Sequence, residues 1–167
     1  MNFDYKVLLG LLAVFISLPG YVIYIRNTLS GKTKPQFYSW LIWAVLAGIG
    51  YSSQIVSNAG PGSWVTGVTV LGCGAIAVLA LFKGDMHLSG VDKVLLGLSS
   101  IAVLLRVLTD NPLEALILAV GAALVGYVFT SKKAYSNPQQ ETVITYVLNS
   151  VKFFPSLFAL STVSKLT

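Results

Sequence analysis

The sequence predicts an all-α chain: a polytopic transmembrane bundle of about six spans, built as two parallel three-helix repeats joined by a linker helix, with the last helix absent. Three observations predict it. The 167 residues are 55% hydrophobic and 10% charged, with mean hydropathy +0.78; soluble domains carry about 25% charged residues. Apolar runs near the roughly 20 residues that a spanning helix needs recur between short polar loops. One stretch, LPGYVIYIRNTLSGKTKPQFYSWLIW from Leu18 to Trp43, returns in altered form as LVGYVFTSKKAYSNPQQETVITY from Leu124 to Tyr146. Gly20 aligns with Gly126 and Pro35 with Pro138, so the offset falls from 106 to 103 and a three-residue deletion in the loop restores the register. In apolar chains such parallel repeats are a recurring way to build a solute site at the repeat interface.

The expected spans are residues 5–27, 36–57, 63–82, 92–109, 113–131 and 141–164. The first has an apolar run, Val7–Leu18, like that of a signal peptide. Asp4 offsets Lys6, however, and no small-residue cleavage site precedes YVIYI, so it reads as a retained span. Pro35 is expected to open the second span, and Ser63 to cap the third after Gly60-Pro61-Gly62. Asn111-Pro112-Leu113-Glu114 opens the fifth as N-cap, N1 proline and N3 carboxylate, and Asn137-Pro138-Gln139-Gln140 repeats that pattern at the sixth. The domains expected are a first repeat over 1–90, a linker over 91–110 and an incomplete second repeat over 111–167.

Charge sets the expected orientation. Arg26, Lys32, Lys34, Lys83, Lys93, Lys132 and Lys133 lie in the odd-numbered loops, against Lys6, Arg106 and Lys165 on the other side. Seven against three puts the odd loops in the cytoplasm and the N-terminus outside, in a multi-pass cell (inner) membrane protein. The same clustering in loops accounts for the net charge of +5 without nucleic acid. The single cysteine, Cys73, sits in an apolar run as a small core residue, and His87 has only Asp85 and Asp92 near it, too few for a metal site. No metal and no cofactor are expected.

The basic loop, the proline in the first helix and the Ser-Trp opening of the second resemble the PQ-loop/SWEET-like (MtN3) membrane family. GKTKPQFYSWLIW and GYVFTSKKAYSNPQQET are similar, more particularly, to small bacterial membrane proteins with that repeat. The resemblance implies two three-helix bundles around a linker, an N-terminus outside, and helix prolines that act as hinges; Pro19 is the hinge residue it points to here. The sequence departs from the family pattern in three places. Gly20 stands where the family has Gln, Val125 stands where the second repeat would have proline, and six spans are read where seven are implied.

Within the last span Thr142, Thr145, Asn149, Lys152 and Ser156 step by 3, 4, 3 and 4 and so share one helix face. Lys152 falls about 16 Å into the span, near the bilayer centre. A lysine there costs at least roughly 2.5 kcal/mol on insertion scales, so it should face a protein interior or a wet cavity. The repeat alignment pairs Trp43 with Tyr146, two aromatics that could stack on a solute. Trp43, Tyr146, Asn149 and Lys152 are therefore the candidate substrate-binding residues, with Tyr24 and Gln54 as weaker ones. Trp40 and Tyr38 read as interfacial belt residues, and Arg106 as a snorkelling helix-end charge. Ala44-x3-Gly48-x3-Ser52 and Ala115-x3-Ala119-x3-Ala123 read as close-packing stripes.

No catalytic constellation is visible, so an enzyme is not expected. The expected activity is that of a small-solute carrier or facilitator of SWEET-like type, with a midplane site between the repeats. The alternative is a non-transporting subunit or assembly factor that keeps the fold. The partners expected are the lipid bilayer, a small polar solute, and a second copy of the chain or another membrane protein.

Overall fold

The computed structural model describes residues 4–109, 112–136 and 142–167. Their order is α1 (Tyr5–Leu29), α2 (Phe37–Val56), a short 3-10 turn (Gly60–Ser63), α3 (Trp64–Lys83), α4 (Gly90–Leu108), α5 (Pro112–Ser136), α6 (Val143–Val151) and α7 (Phe153–Phe158). No strand occurs among the described residues; extended backbone pairs only at one isolated bridge, Gln36 to Asp85. Tyr5–Leu29, Phe37–Val56 and Gly60–Lys83 are long and apolar enough to cross a membrane.

Local chemistry sets the ends. Asp4 caps α1 by accepting from the Lys6 amide at 2.9 Å. The helix closes at Gly31, which takes the left-handed conformation (φ 75°) that lets the Gly31 and Lys32 amides reach back to the Thr28 and Asn27 carbonyls. Asn58 (φ 53°) serves α2 in the same way. A complete capping box, Ser89 with Asp92, starts α4.

Three boundary expectations need correction. Pro35 does not begin α2: Gln36 is the cap position, and the Pro35 carbonyl instead accepts from the Asp85 amide at 2.8 Å, tying the first loop to the third. Ser63 precedes α3 but gives it no side-chain cap, because its hydroxyl donates to the Gly60 carbonyl at 2.8 Å within the 3-10 turn. The last helix is shorter than 141–164: it ends at Phe158 and is interrupted at Lys152. Pro155 supplies the cause, since it has no N–H to bond the Val151 carbonyl. Pro112 does open α5, while Asn111 and Asn137-Pro138-Gln139-Gln140 lie outside the described residues.

Helix α2 is the centre of the bundle. On one side Trp40 packs with Tyr21 and Tyr24 of α1 and with Cys73, Ile76 and Ala77 of α3. On the other, Ile42, Leu46 and Ile49 pack with Leu95 and Ala102 of α4 and with Ala115, Ala119 and Ala122 of α5. The alanine stripe of α5 therefore works inside the bundle, where small side chains let α5 approach α2 and α4 closely. Helix α1 lies against α6 and α7, and α2 lies against α5, so each of the first two helices is covered by a helix from the second half of the chain. Gly20 permits the first contact: a Cβ there would already touch the Leu148 side chain at 3.4 Å. The outer surface is apolar, with Phe15, Leu71, Phe82 and Val107 all more than 60% exposed.

Candidate functional site

The polar face of the last helix turns inward along its whole length. At its start the Thr142 hydroxyl pairs with Thr33 at 2.7 Å and accepts from Asn27 Nδ2 at 3.2 Å. One turn on, buried Thr145 donates to the Gly20 carbonyl at 2.9 Å. Ser156, near the far end, is buried against the turn that precedes α3. A helix placed in an apolar bundle with this 3–4 spacing turns that face to partners, because hydroxyls left unpaired against apolar surface are costly.

Lys152 is completely buried. Its Nζ lies 2.7 Å from Thr69 Oγ1, 2.6 Å from Asn149 Oδ1 and 3.0 Å from Tyr21 Oη. The Thr69 hydroxyl hydrogen is committed to the Val65 carbonyl at 2.7 Å, and an amide oxygen can only accept. Both atoms therefore receive hydrogen bonds from the lysine, and the three-fold set matches the three N–H groups of an ammonium. Nζ also lies over the Tyr21 ring (5.0 Å to the centroid) and the Phe153 ring (5.1 Å). No carboxylate pairs with it among the described residues. Bonds from a charged donor contribute roughly 1.5–3 kcal/mol each, which offsets much of the cost of holding the group away from water.

This cluster forms the polar end of a cavity of about 250 Å³. Its walls come from α1 (Tyr21), α2 (Trp40, Trp43, Leu46, Ala47, Gly50), α3 (Thr66, Thr69, Cys73), α5 (Leu116, Ala119, Val120, Ala123, Tyr127) and the last helix (Tyr146, Asn149, Lys152, Phe153). All four sequence-selected residues, Trp43, Tyr146, Asn149 and Lys152, lie on that wall. Trp43 meets Tyr146 edge to face (6.2 Å, 82°) and stacks on Tyr127 (6.1 Å, 17°). Tyr127 in turn donates to Ser150 at 2.7 Å, since the Ser150 hydrogen goes to the Tyr146 carbonyl. The aromatic layer is thereby held in a fixed arrangement from α5 and α6.

Other sequence-selected residues fall elsewhere. Pro19 points outward, and α1 runs through it unbroken, while its neighbour Gly20 faces α6. Tyr24 is fully buried behind the cavity, where its hydroxyl accepts from Trp40 Nε1 at 3.2 Å and its ring meets the indole at 4.7 Å. Trp40 is consequently a core residue, 4% exposed, and not a belt residue. Gln54 does not reach the cavity wall. Arg106 does not simply snorkel: its Nε donates to Ser52 at 3.1 Å, joining α4 to α2. Asp92 is 3% exposed and accepts from Gln36 Nε2 and Ser89 Oγ at 2.6 Å each, which pins the start of α2 to the start of α4.

Comparison with protein families, curated proteins and solved structures gives no match for this chain. The site has to be read from its own groups. Sequence reasoning missed Tyr21, Thr69, Tyr127 and Phe153, which sit on other helices or carry no polarity signal. The one cue within reach was Tyr21, which immediately follows the Pro19-Gly20 pair that marks the close approach of α1 to α6.

Proposed function

We propose that the chain is a multi-pass membrane protein of six spans whose central cavity binds a small solute and passes it across the bilayer as a carrier or facilitator. The observation that carries this reading is the cavity itself: five helices line it, and Trp43, Tyr146, Asn149 and Lys152 all contribute to its lining. A buried charge among apolar walls is expensive to maintain for packing alone. Pockets of this kind, apolar with a few convergent polar groups, are the usual form of small-molecule sites.

The repeat reading gains support from the packing. The covering of α1 by α6 and of α2 by α5 is the arrangement that a two-fold relation between halves produces. Trp43 and Tyr146, which the alignment makes equivalent, face each other as equivalent residues near such an axis would. In this reading residues 1–90 and 111–167 are the two repeats and 91–110 is the linker, as the resemblance to the PQ-loop/SWEET-like pattern implies. The basic loops face the cytoplasm and the N-terminus lies outside. Pro19 is the candidate hinge of α1, because a helix lacking one backbone bond bends there at lower cost.

The competing reading, a non-transporting subunit, would have Lys152 as the contact to a partner helix. That version loses support, since Lys152 is completely buried within its own chain and its three N–H groups have internal acceptors.

Proteoliposomes followed by stopped-flow light scattering test the proposal, with neutral polyols, zwitterionic amino acids and organic anions as solutes. At least one class should enter faster than into protein-free vesicles, and Asn149→Ala or Lys152→Ala should abolish the acceleration without lowering membrane insertion. Uptake indistinguishable from empty vesicles for every class, or unchanged in both variants, would overturn it.

A further inference from the structure

We infer that the cavity selects a small organic monoanion with an apolar body, such as an aromatic or branched-chain carboxylate; this deepens the binding-site reading above and rests on it. The inference comes from which hydrogen-bonding capacities of the wall are already used. The acceptors nearest the charge, Asn149 Oδ1, Thr69 Oγ1 and Tyr21 Oη, all receive hydrogen bonds from Lys152. Because Oδ1 must face the lysine, the amide orientation of Asn149 is fixed, and its Nδ2 is left as a donor with no acceptor among the described residues. Trp43 Nε1 likewise donates to none of them. The end of the cavity around Lys152 thus carries a positive charge covered only by Asn149, Thr69 and Tyr21 among the described residues, with the Asn149 Nδ2 donor beside it. Hydroxyl-rich solutes need several free acceptors for their own O–H groups, and each of these three already takes one hydrogen bond from the lysine. An anionic head group needs only donors.

Charge fixes the valence. One buried cation with no carboxylate beside it is balanced by one negative charge, whereas a dianion would leave an uncompensated charge in an apolar enclosure. A carboxylate oxygen taking the place of the longest lysine contact, that to Tyr21 at 3.0 Å, would exchange a neutral acceptor for an ionised one, the stronger kind of hydrogen bond. The rest of the wall, including Trp43, Leu46, Ala119, Val120 and Tyr127, is hydrocarbon and ring surface that suits an apolar body. The cavity of about 250 Å³ has room for a single ring, since an apolar cavity of about 150 Å³ already takes benzene.

The test compares benzoate with benzamide, which have the same ring and nearly the same shape but differ in charge. Binding to the detergent-purified full chain is measured by isothermal titration and by the change in intrinsic tryptophan fluorescence, to which Trp40 and Trp43 of the cavity lining contribute. Benzoate should bind roughly tenfold or more tighter than benzamide, the difference expected between a charged and a neutral hydrogen-bond acceptor. Lys152→Gln, which retains a donor of similar length, should erase that difference. Equal affinity for the two probes would overturn the anion class while leaving a solute site in place. Failure of both probes to bind a protein with an unaltered melting transition would overturn the anion class and count against the site as well. The comparison on the native chain needs no variant, so a misfolded Lys152→Gln could not obscure the result.

Discussion

A methyl group placed on Gly72 would test the join between α1 and α3 and, through it, the support of Lys152. A Cβ at this position would lie 2.6–2.7 Å from three carbons of the Tyr21 ring, a separation that real side chains do not tolerate. Ordinary contact is nearer 3.5–4 Å, so the ring must retreat by about 1 Å. The ring is 4% exposed, packs against Trp40 and Ile76 and lies 3.0 Å from Lys152 through its hydroxyl, so any retreat, even toward the cavity it lines, loosens those contacts. Overpacking of this kind costs about 1–3 kcal/mol, which for a chain of this size corresponds to a fall in Tm of roughly 2–12 °C. Gly74→Ala is the matched control: nothing lies within 4 Å of its added Cβ, and helix propensity favours alanine by up to about 1 kcal/mol. Thermal unfolding in detergent, followed by intrinsic fluorescence, should separate the two substitutions in opposite directions. The clash is also specific to one ring, so in the Tyr21→Leu background the cost of Gly72→Ala should shrink by at least about 0.5 kcal/mol. A Gly72→Ala protein as stable as its Gly74→Ala counterpart, or costs that simply add in the double variant, would refute the packing described here.

Three further outcomes follow from other contacts. Asp92→Ala removes the acceptor for Gln36 and Ser89 and should lower stability by about 1–3 kcal/mol, read from the same melting curves; Ser89→Ala, which loses the cap and its own donor to Asp92 but keeps the Gln36 bond, should cost about 1 kcal/mol. Thr145→Val keeps the shape of the side chain but loses its bond to the Gly20 carbonyl, so a loss of about 0.5–1.5 kcal/mol is expected, with no effect in the range of Gly72→Ala. In Gly62→Ala the new Cβ would stand 2.8 Å from the Ser156 carbonyl oxygen and 2.9 Å from the Leu160 amide nitrogen, backbone atoms that cannot yield singly. The bonds Gly62 N–H to Ala159 O and Ser161 N–H to Ala59 O should open, seen as faster amide exchange at residues 62 and 161 with α4 and α5 unaffected.

Much of the helical layout could be read in advance because it depends on neighbours along the chain. The apolar runs, the proline at the start of α5 and the polar face of the last helix are all local patterns, and a stripe of hydroxyls and a lysine in an apolar helix can have only one stable orientation. The repeat alignment likewise paired Trp43 with Tyr146 before their rings were known to meet. The break at Lys152 is absent from the sequence reading, which gives 141–164 as one span, although Pro155 three residues beyond it supplies the local cause.

What the sequence by itself determined is therefore which residues could not be left on an apolar surface without polar partners. Lys152, Asn149 and Thr145 had to turn inward, whatever lay across from them. Tertiary structure alone decided what met them there. Tyr21 and Thr69 come to Lys152 from helices distant in sequence, and only the close approach of α1 to α3 at Gly72 sets the Tyr21 ring at its position. Trp40 and Tyr38 look alike as helix-end aromatics, but α1 and α3 cover the first and leave the second half-buried. Asp92 reads as a surface cap until Gln36 and Ser39 close over it from α2 and its preceding loop. The physical reason is the same in each case. Desolvation cost is a property of a residue and can be read from the chain, whereas the partner that relieves it is set by how helices cross, which no local pattern encodes.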